Sequence, residues 1–274
     1  MVISKLIEIS CDMLKKEGIQ SYVLDTHLLL CMFLGVDRPY LITHGDREVE
    51  NTDGFFNLVK RRAKHEPLQY ITGRCEFMSL EFFVTPKVLI PRPDTETLVQ
   101  RVIEYAGERP LTVLEIGTGS GCISVSLAHY CKNLIIDAVD ISKEALDIAR
   151  QNADHNGVSR INFTKMDIMR DFPNKIYDIV VSNPPYIENG KIPDLMPEVR
   201  DYEPPTALDG GDDGLAFYRR IAEGCTHFGY IALEVGMGQS QDVVNILKKN
   251  GYKDIRTFCD LSGIERVVSA KGGV

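Results

Sequence analysis

The chain has 274 residues, 44% of them apolar, and carries 31 Lys and Arg against 39 Asp and Glu, a net charge of −8. That length admits about two domains and a substantial core; the apolar content excludes a disordered chain, and 22 Gly and 13 Pro without period exclude a collagen-like or low-complexity one. An acidic balance repels a phosphate backbone, so duplex DNA is not the default partner.

From Ile3 to Leu34 apolar residues recur at helical spacing, with Leu6, Ile7, Ile9 and Met13 on one face and Leu24, Leu28, Cys31 and Met32 on another. Gly18 breaks the first helix and Gly35 closes the second. Phe55–Ala63 reads as a third, with Phe55, Leu58 and Val59 inward. These segments predict a small helical bundle over residues 1–74, balanced at 10 basic and 10 acidic residues, so the net negative charge lies in the remainder. The run Lys60-Arg61-Arg62-Ala63-Lys64-His65 is either a solvated helix face or a local basic patch.

Residues 75–93 read as a connector: Glu81–Val84 and Val88–Ile90, separated by Thr85-Pro86-Lys87, predict a β-hairpin. Asp94 or Thr95 then caps a helix through Leu98, Val102 and Ile103. Over residues 94–274 strands alternate with helices. The strands are Leu111–Ile116, Leu134–Val139, Ile161–Thr164, Tyr177–Ser182, Gly229–Glu234, Tyr252–Thr257 and Glu265–Ser269. The helices are Ile123–His129, Lys143–Asn156, Gly214–Gly224 and Ser240–Lys249. Apolar strands linked by helices predict an α/β domain with a seven-stranded, mostly parallel sheet. The short turn at Leu261-Ser262-Gly263 makes the last two strands an antiparallel edge hairpin.

The first strand of that sheet runs into Gly117-Thr118-Gly119-Ser120-Gly121. Glycines between strand and helix permit positive φ and close approach to a ligand. The spacing is G-x-G-x-G, not the dinucleotide G-x-G-x-x-G, and it resembles the first motif of Rossmann-like methyltransferases, which bind S-adenosylmethionine. Asp140, at the end of the next strand, is placed to accept both ribose hydroxyls of a nucleoside, with capping of the following helix as the plainer alternative. After the third strand, Asp167 is placed to accept an exocyclic amine and Ile168 to cover the adenine ring; a surface turn is the alternative there.

The fourth strand ends in Asn183-Pro184-Pro185-Tyr186. The two prolines lack N–H donors and fix φ, leaving carbonyls toward the ligand edge. Asn183 adds an amide oxygen and Tyr186 an aromatic face. This set suits a planar NH2 group, whose nitrogen is a weak nucleophile because its lone pair is delocalised. Holding both hydrogens in acceptors while aiming the nitrogen at a methyl donor works by positioning and electrostatics, without a strong base.

The same four residues occur in methyltransferases acting on adenine, cytosine and glutamine. Gln69-Tyr70-Ile71-Thr72-Gly73, Glu76-Phe77, Ile90-Pro91-Arg92-Pro93-Asp94-Thr95-Glu96 and the stretch from Glu203 to Leu215 (EPPTALDGGDDGL) surround the core motifs in order. Over essentially its whole length the chain resembles the HemK/PrmC family, the peptide chain release factor glutamine N5-methyltransferases. The segment from Ile90 to Glu96 is the most specific, and a sister family acting on a ribosomal-protein glutamine differs there. The resemblance implies a Rossmann-like class I methyltransferase that uses S-adenosyl-L-methionine to methylate the glutamine of a Gly-Gly-Gln loop in class I release factors. It assigns Gly117 through Gly121, Asp140, Ile168 and Asn183 to the cofactor, and Asn183, Pro184, Pro185 and Tyr186 to the glutamine. Where Ile168 stands the family often has an aromatic residue.

The roles of four other features stay open at this point: Arg92 and Glu96 as the site's mouth or as a helix-entry ion pair; Glu115 at the cofactor's amino end or bonded to the glycine loop; and Asp209–Asp213 as a turn near the substrate entrance or plain loop chemistry. The competing functions are a nucleic-acid adenine N6-methyltransferase, a ribosomal-protein glutamine methyltransferase, and a non-catalytic binding protein on the same fold. Seven scattered cysteines without a CxxC pair, and six histidines without HxxH, predict reduced thiols and no protein-bound metal. No apolar run reaches the roughly 18–20 residues of a membrane span, and the first ten residues lack the basic and apolar regions of a signal peptide. The expectation is a cytoplasmic monomer without direct nucleic-acid contact.

Overall fold

Helical periodicity and glycine punctuation produce five helices in the first 74 residues: α1 (Ile3–Lys16), α2 (Tyr22–Leu34), α3 (Arg38–Thr43), α4 (Asp53–Ala63) and α5 (Leu68–Thr72). The computed structural model describes residues 1–225 and 227–272; Thr226, Gly273 and Val274, all within the expected α/β domain, lie outside the described residues. Gly35 closes α2 at φ 67°, in the left-handed region where a Cβ is penalised. The inward face of α2 differs from its apolar pattern. Leu24 and Met32 are exposed, whereas Asp25, Thr26, Leu29 and Leu30 are buried. Asp25 is drawn inside by Arg62 of α4, whose Nε donates to Asp25 Oδ2 at 2.6 Å, while Arg62 Nη2 donates to Glu198 Oε1 at 2.5 Å. Buried charges survive only when paired in this way.

These helices and Met196–Tyr202 make one compact unit, with Ile3, Leu6, Leu29, Leu30, Phe55 and Val59 in its core. The basic run therefore does not present a uniform cationic face. Arg62 is buried in its triad, and Arg61 is held by Glu66.

The second unit takes the chain from Cys75 to Leu195 and again from Glu203. Its hairpin lies upstream of the expected one. Strand β1 (Arg74–Phe77) pairs with β2 (Leu80–Phe83) through Met78 and Ser79, at φ 52° and 58°. Two successive positive φ values give the twist a tight hairpin needs, but neither residue announces it. Val88–Ile90 forms no strand. Val88 N closes a turn on Thr85 O at 3.1 Å, and the segment buries Val88 and Ile90 without a ladder.

The remaining elements are α6 (Thr95–Ala106), β3 (Thr112–Ile116), α7 (Cys122–Tyr130), β4 (Ile135–Asp140), α8 (Lys143–His155), β5 (Ile161–Lys165), β6 (Ile179–Ser182), the short α9 (Pro197–Arg200), α10 (Ala216–Gly224), β7 (Tyr230–Glu234), α11 (Ser240–Lys249), β8 (Lys253–Cys259) and β9 (Glu265–Lys271). The sheet order is β5-β4-β3-β6-β7-β9-β8. All pairings are parallel except those of β9, antiparallel to both β7 and β8. The seven-stranded sheet with its antiparallel edge is thus as the sequence predicts.

Strand residues alternate between two cores. Val113, Ile179, Val181 and Ala232 face α6, α7 and α8 residues such as Leu98, Val102 and Leu127. Leu114, Val180, Ile231 and Leu233 face Tyr218, Ile221, Val243 and Leu247 of α10 and α11. Each large apolar side chain so buried contributes roughly 1.5–3 kcal/mol, enough to hold the strand ends as a rigid platform. The chain reverses direction across the sheet between β3 and β6, and a crevice opens at the carboxyl ends there, as parallel sheets require.

Candidate active site

A cavity of about 540 Å³ fills that crevice, lined by the glycine loop, by the ends of β4, β5 and β6, and by Arg92 and Thr95. The wall on the β3–β4 side is built from backbone. Gly117, Gly119 and Gly121 have φ of 74°, 54° and 80°. A Cβ on Gly117 or Gly119 would meet nothing within 4 Å, so these two leave bare peptide toward open space; a Cβ on Gly121 would lie 3.0 Å from that of Ala149. The first two glycines thus permit ligand approach, and the third lets α8 pack.

The loop is fixed by acceptors behind it. Val139 O takes N–H bonds from Gly117 and Thr118, and Asp140 Oδ2 takes one from Gly119 at 2.9 Å. Asp140 Oδ1 takes Ser142 N at 2.8 Å, while the cap of α8 itself is the Ser142 hydroxyl. Asp140, which the Ile141 N–H also stabilises, keeps acceptor capacity for a hydroxyl donor, and burial pushes its pKa up. Glu115, fully buried, accepts from Thr118 Oγ1 at 2.6 Å through Oε2 and leaves Oε1 without a partner. Burial raises its pKa to about 7. It is therefore bonded to the glycine loop with one acceptor spare. The bare glycines and the remaining acceptor capacity of Asp140, both in the cavity wall, fit a ligand with ribose hydroxyl groups, as S-adenosylmethionine has, while Glu115 lies behind the loop and outside that wall.

Asp167 and Ile168 also line the cavity. Asp167 Oδ1 is engaged by Met169 N at 3.0 Å, and Arg170 lies 3.2 Å from Oδ2, so its turn is self-satisfied; Ile168 is buried.

On the β6–β7 side the four residues after Ser182 are held as expected at the strand end, but by partners the sequence did not name. Asn183 Nδ2 donates to Thr95 Oγ1 at 3.2 Å. Thr95 therefore does not cap α6 with its side chain, nor does Asp94, which pairs with Arg266 at 2.9 Å. Asn183, Pro184 and Pro185 line the cavity, whereas Tyr186 is not part of its wall. Tyr186 O accepts from Gln239 Nε2 at 3.0 Å, and Gln239 Oε1 accepts from Gly236 N. Burial pushes the Tyr186 hydroxyl up to about 12. A Cβ on Gly214 would stand 2.4 Å from Tyr186 O and one on Gly210 2.8 Å from Tyr186 Cα, so the glycines of the 209–215 turn are needed for contact with this loop.

Arg92 lines the mouth, and its Nη2 donates to both carboxylate oxygens of buried Glu203, at 2.8 and 2.7 Å. It does not pair with Glu96, which accepts from Met78 N. Asp209 reaches the cavity, while Asp212 and Asp213 hold Asn189 and Arg219. The sequence does not point to Thr95 as a partner of Asn183, to Gln239 as a clamp, or to Glu234, buried beside Thr95 and Asn183. A charged residue ending the apolar run Tyr230-Ile231-Ala232-Leu233 was the available signal for the last. Among the described residues there is no group of three or more metal-binding side chains, and no helix is long and apolar enough to cross a membrane.

Residues 5–73 match the PrmC N-terminal domain and residues 93–198 the methyltransferase small domain. The chain is 39% identical over 277 residues to the release factor glutamine methyltransferase of Geobacter sulfurreducens, covering 99% of this chain and 97% of that one. It is 40% identical over 274 residues to that of Clostridium acetobutylicum, covering 96% of each. The catalytic domain of hMettl16, solved in complex with a MAT2A 3′UTR hairpin, shares the fold with a TM-score of 0.58 at 18% identity, covering 78% of this chain and 82% of that one.

Proposed function

Since the chain belongs to the family of release factor glutamine methyltransferases, we propose that its substrate is the glutamine in the Gly-Gly-Gln motif of class I peptide chain release factors, methylated on the side-chain nitrogen N5. The chain is an S-adenosyl-L-methionine-dependent protein-glutamine methyltransferase. Bound cofactor supplies a sulfonium methyl, whose transfer forms a nitrogen–carbon bond, breaks a sulfur–carbon bond and releases one amide proton to water. In this reading the bare glycine loop, Gly117 through Gly121, and Asp140 hold the cofactor's amino-acid and ribose groups, with Asp167 and Ile168 at the adenine.

The observation that carries the substrate side is the orientation of Asn183. With Nδ2 spent on Thr95, Oδ1 is the atom left for a donor. An amide nitrogen offers two hydrogens and a delocalised lone pair, so acceptors fixed in advance are the form of catalysis it can use. Tyr186 O already accepts from Gln239, and we assign the two amide hydrogens to Asn183 Oδ1 and a proline carbonyl, with the Tyr186 ring as a support for the loop. The helical unit docks the protein substrate, and the enzyme acts as a monomer in the cytoplasm, where release factors work, without touching nucleic acid.

The test is to incubate the full-length enzyme with S-adenosylmethionine and a class I release factor, then locate new methyl groups by tandem mass spectrometry. One methyl on the glutamine of the Gly-Gly-Gln peptide is expected. A methyl elsewhere, or none, would overturn the assignment.

A further inference from the structure

The parallel register of β6 and β7 sets Ser182 against Leu233, so the next residues, Asn183 and Glu234, emerge side by side at the carboxyl edge. Glu234 is 1% exposed and its Oε2 has no hydrogen-bond partner. Its strand end is already secured without the carboxylate, since the Tyr218 hydroxyl donates to the Glu234 backbone carbonyl at 2.9 Å. A buried carboxylate that the fold does not need for that purpose is costly and asks for another role.

We propose that Glu234 is a positioning residue for methyl transfer: its carboxylate, together with the Thr95 hydroxyl, turns the Asn183 carboxamide so that Oδ1 faces the reacting nitrogen. This rests on Asn183 being the acceptor for the substrate amide, and it adds the group that decides which way that amide points.

The hydrogen-bond logic is specific. A carboxamide rotated by half a turn presents NH2 where its oxygen should be, and two NH2 groups facing each other cannot bond. Thr95 alone does not prevent this, because a hydroxyl both donates and accepts and would serve either orientation. A carboxylate only accepts. Set beside Asn183 by strand register and linked through it to Thr95, it can take N–H and O–H donors from both, and both groups favour its charged form. With the Thr95 proton directed at Glu234, Thr95 Oγ1 is left to accept from Asn183 Nδ2, the bond seen at 3.2 Å. The negative charge also polarises the carboxamide, making Oδ1 a stronger acceptor. Protonated Glu234 is itself a donor and removes the restraint.

The charged and titratable neighbours leave Glu234 as the group that switches near neutrality. Arg266 of β9 is attracted to it but already holds Asp94 and Asp260, and Asp94, just before α6, opposes its ionisation. Tyr186 beside it, Tyr218 of α10 and Cys122 of α7 are all held neutral by burial. Burial lifts Glu234 itself to about 7. Glu115 reaches a similar value but bonds the glycine loop, so its titration is felt through cofactor affinity, which saturating cofactor removes.

The experiment is single-turnover methyl transfer to release factor at saturating S-adenosylmethionine between about pH 5.5 and 9, with full-length wild type, Glu234→Gln, Thr95→Val and Asn183→Ala. The wild-type rate should rise about tenfold per pH unit on the acid side and level off above about 7. Glu234→Gln should lose that acid limb and run roughly tenfold below the wild-type plateau, with cofactor affinity and release-factor KM within about twofold. Retained cofactor affinity certifies that the variant is folded. If it is not folded, Thr95→Val decides: losing a donor to Glu234 should move the acid limb to higher pH, and an unmoved limb overturns the proposal. If wild type transfers no methyl to release factor, or Asn183→Ala transfers as fast as wild type, the reading of the site fails and the role of Glu234 with it. If wild type transfers, Asn183→Ala does not, and Glu234→Gln keeps both rate and acid limb, the Glu234 proposal alone is overturned.

Discussion

The two sides of the cavity are built on different principles. On the β3–β4 side the wall is peptide backbone, and its polar groups are satisfied from behind: Val139 O and Asp140 take the N–H groups of the glycine loop, leaving spare acceptor capacity facing outward. On the β6–β7 side the wall is side chain and proline, and its members are clamped from several elements: Asn183 by Thr95, and Tyr186 O by Gln239. In the proposed reading the first is a cradle for a small molecule that must bind and leave, and the second a jig for one amide group, where orientation matters more than affinity. Each side has its own buried glutamate with an unpartnered oxygen, Glu115 and Glu234, so the contrast lies in what surrounds these carboxylates.

If the division is right, damage on one side should spare the function of the other. The largest effect is expected from Asn183→Ala. Loss of one preorganised hydrogen bond at the reacting group costs about 10²–10³ in rate, read by single-turnover transfer, with release-factor binding changed much less. From sequence alone Asn183→Asp keeps an acceptor and so retains more activity than Asn183→Ala. The neighbouring Glu234 changes that expectation: a second carboxylate there meets like charge in a buried setting, so the Asp variant should do no better than Ala, and transfer clearly faster than Ala would count against Glu234 being ionised.

The next effect concerns stability. The pKa of each buried glutamate is raised to about 7 by burial. The folded state thus holds these protons more tightly than the unfolded one. Their stabilising contribution is complete below the ordinary carboxylate range, near pH 4, and is lost as pH rises through about 7. Glu234→Gln should therefore unfold at higher denaturant than wild type at about pH 8, by up to about 3 kcal/mol, and show little difference at about pH 5. An equal midpoint at the higher pH would mean that the ionised group is better compensated than the geometry shows.

Asp140→Ala comes third. It removes the carboxylate proposed to accept the ribose hydroxyls, each charge-assisted bond contributing roughly 1.5–3 kcal/mol, and it frees Gly119 N as well. Calorimetric titration should show cofactor affinity falling by more than about tenfold, with the residual transfer rate at saturating cofactor nearer to wild type than that of Asn183→Ala. The smallest effect should come from Gln239→Ala, which unclamps Tyr186 O and Gly236 N. A roughly fivefold slower transfer with unchanged cofactor affinity is expected from the loss of hydrogen bonds of about 1 kcal/mol. A loss of cofactor affinity instead would show that the two sides are mechanically one.

The backbone side was the more legible in the sequence. Alternating apolar strands, glycines at fixed offsets and an acidic strand tip are local signals, and Gly117, Gly119 and Asp140 meet at the cavity, with Gly121 packed against Ala149 behind them. The clamped side was legible only as its tetrapeptide from Asn183 to Tyr186. Thr95 lies 88 residues from Asn183 along the chain, and the significance of Glu234 arises from strand register, which no local window carries. The hairpin was misplaced because Met78 and Ser79 adopt positive φ without glycine, and the face of α2 was misread because an ion pair, invisible to hydrophobic periodicity, buries Asp25. Nor did the sequence reveal that Met196–Tyr202 belongs with the helices, where Tyr202 donates to Lys64 O and Glu198 holds Arg62. A fragment beginning at residue 75 therefore strips partners from Glu198 and Tyr202, so it would be a poor test of docking; substitutions on the outer face of α2, such as exposed Leu24→Ser, avoid that damage.

The central claim is that cofactor binding and amide positioning are assigned to opposite sides of one cavity. Calorimetric titration of S-adenosylmethionine into Asn183→Ala, alongside wild type and Asp140→Ala, tests it most directly. The account predicts an Asn183→Ala affinity within about threefold of wild type, in a variant whose transfer rate has collapsed. An affinity loss matching that of Asp140→Ala would contradict it.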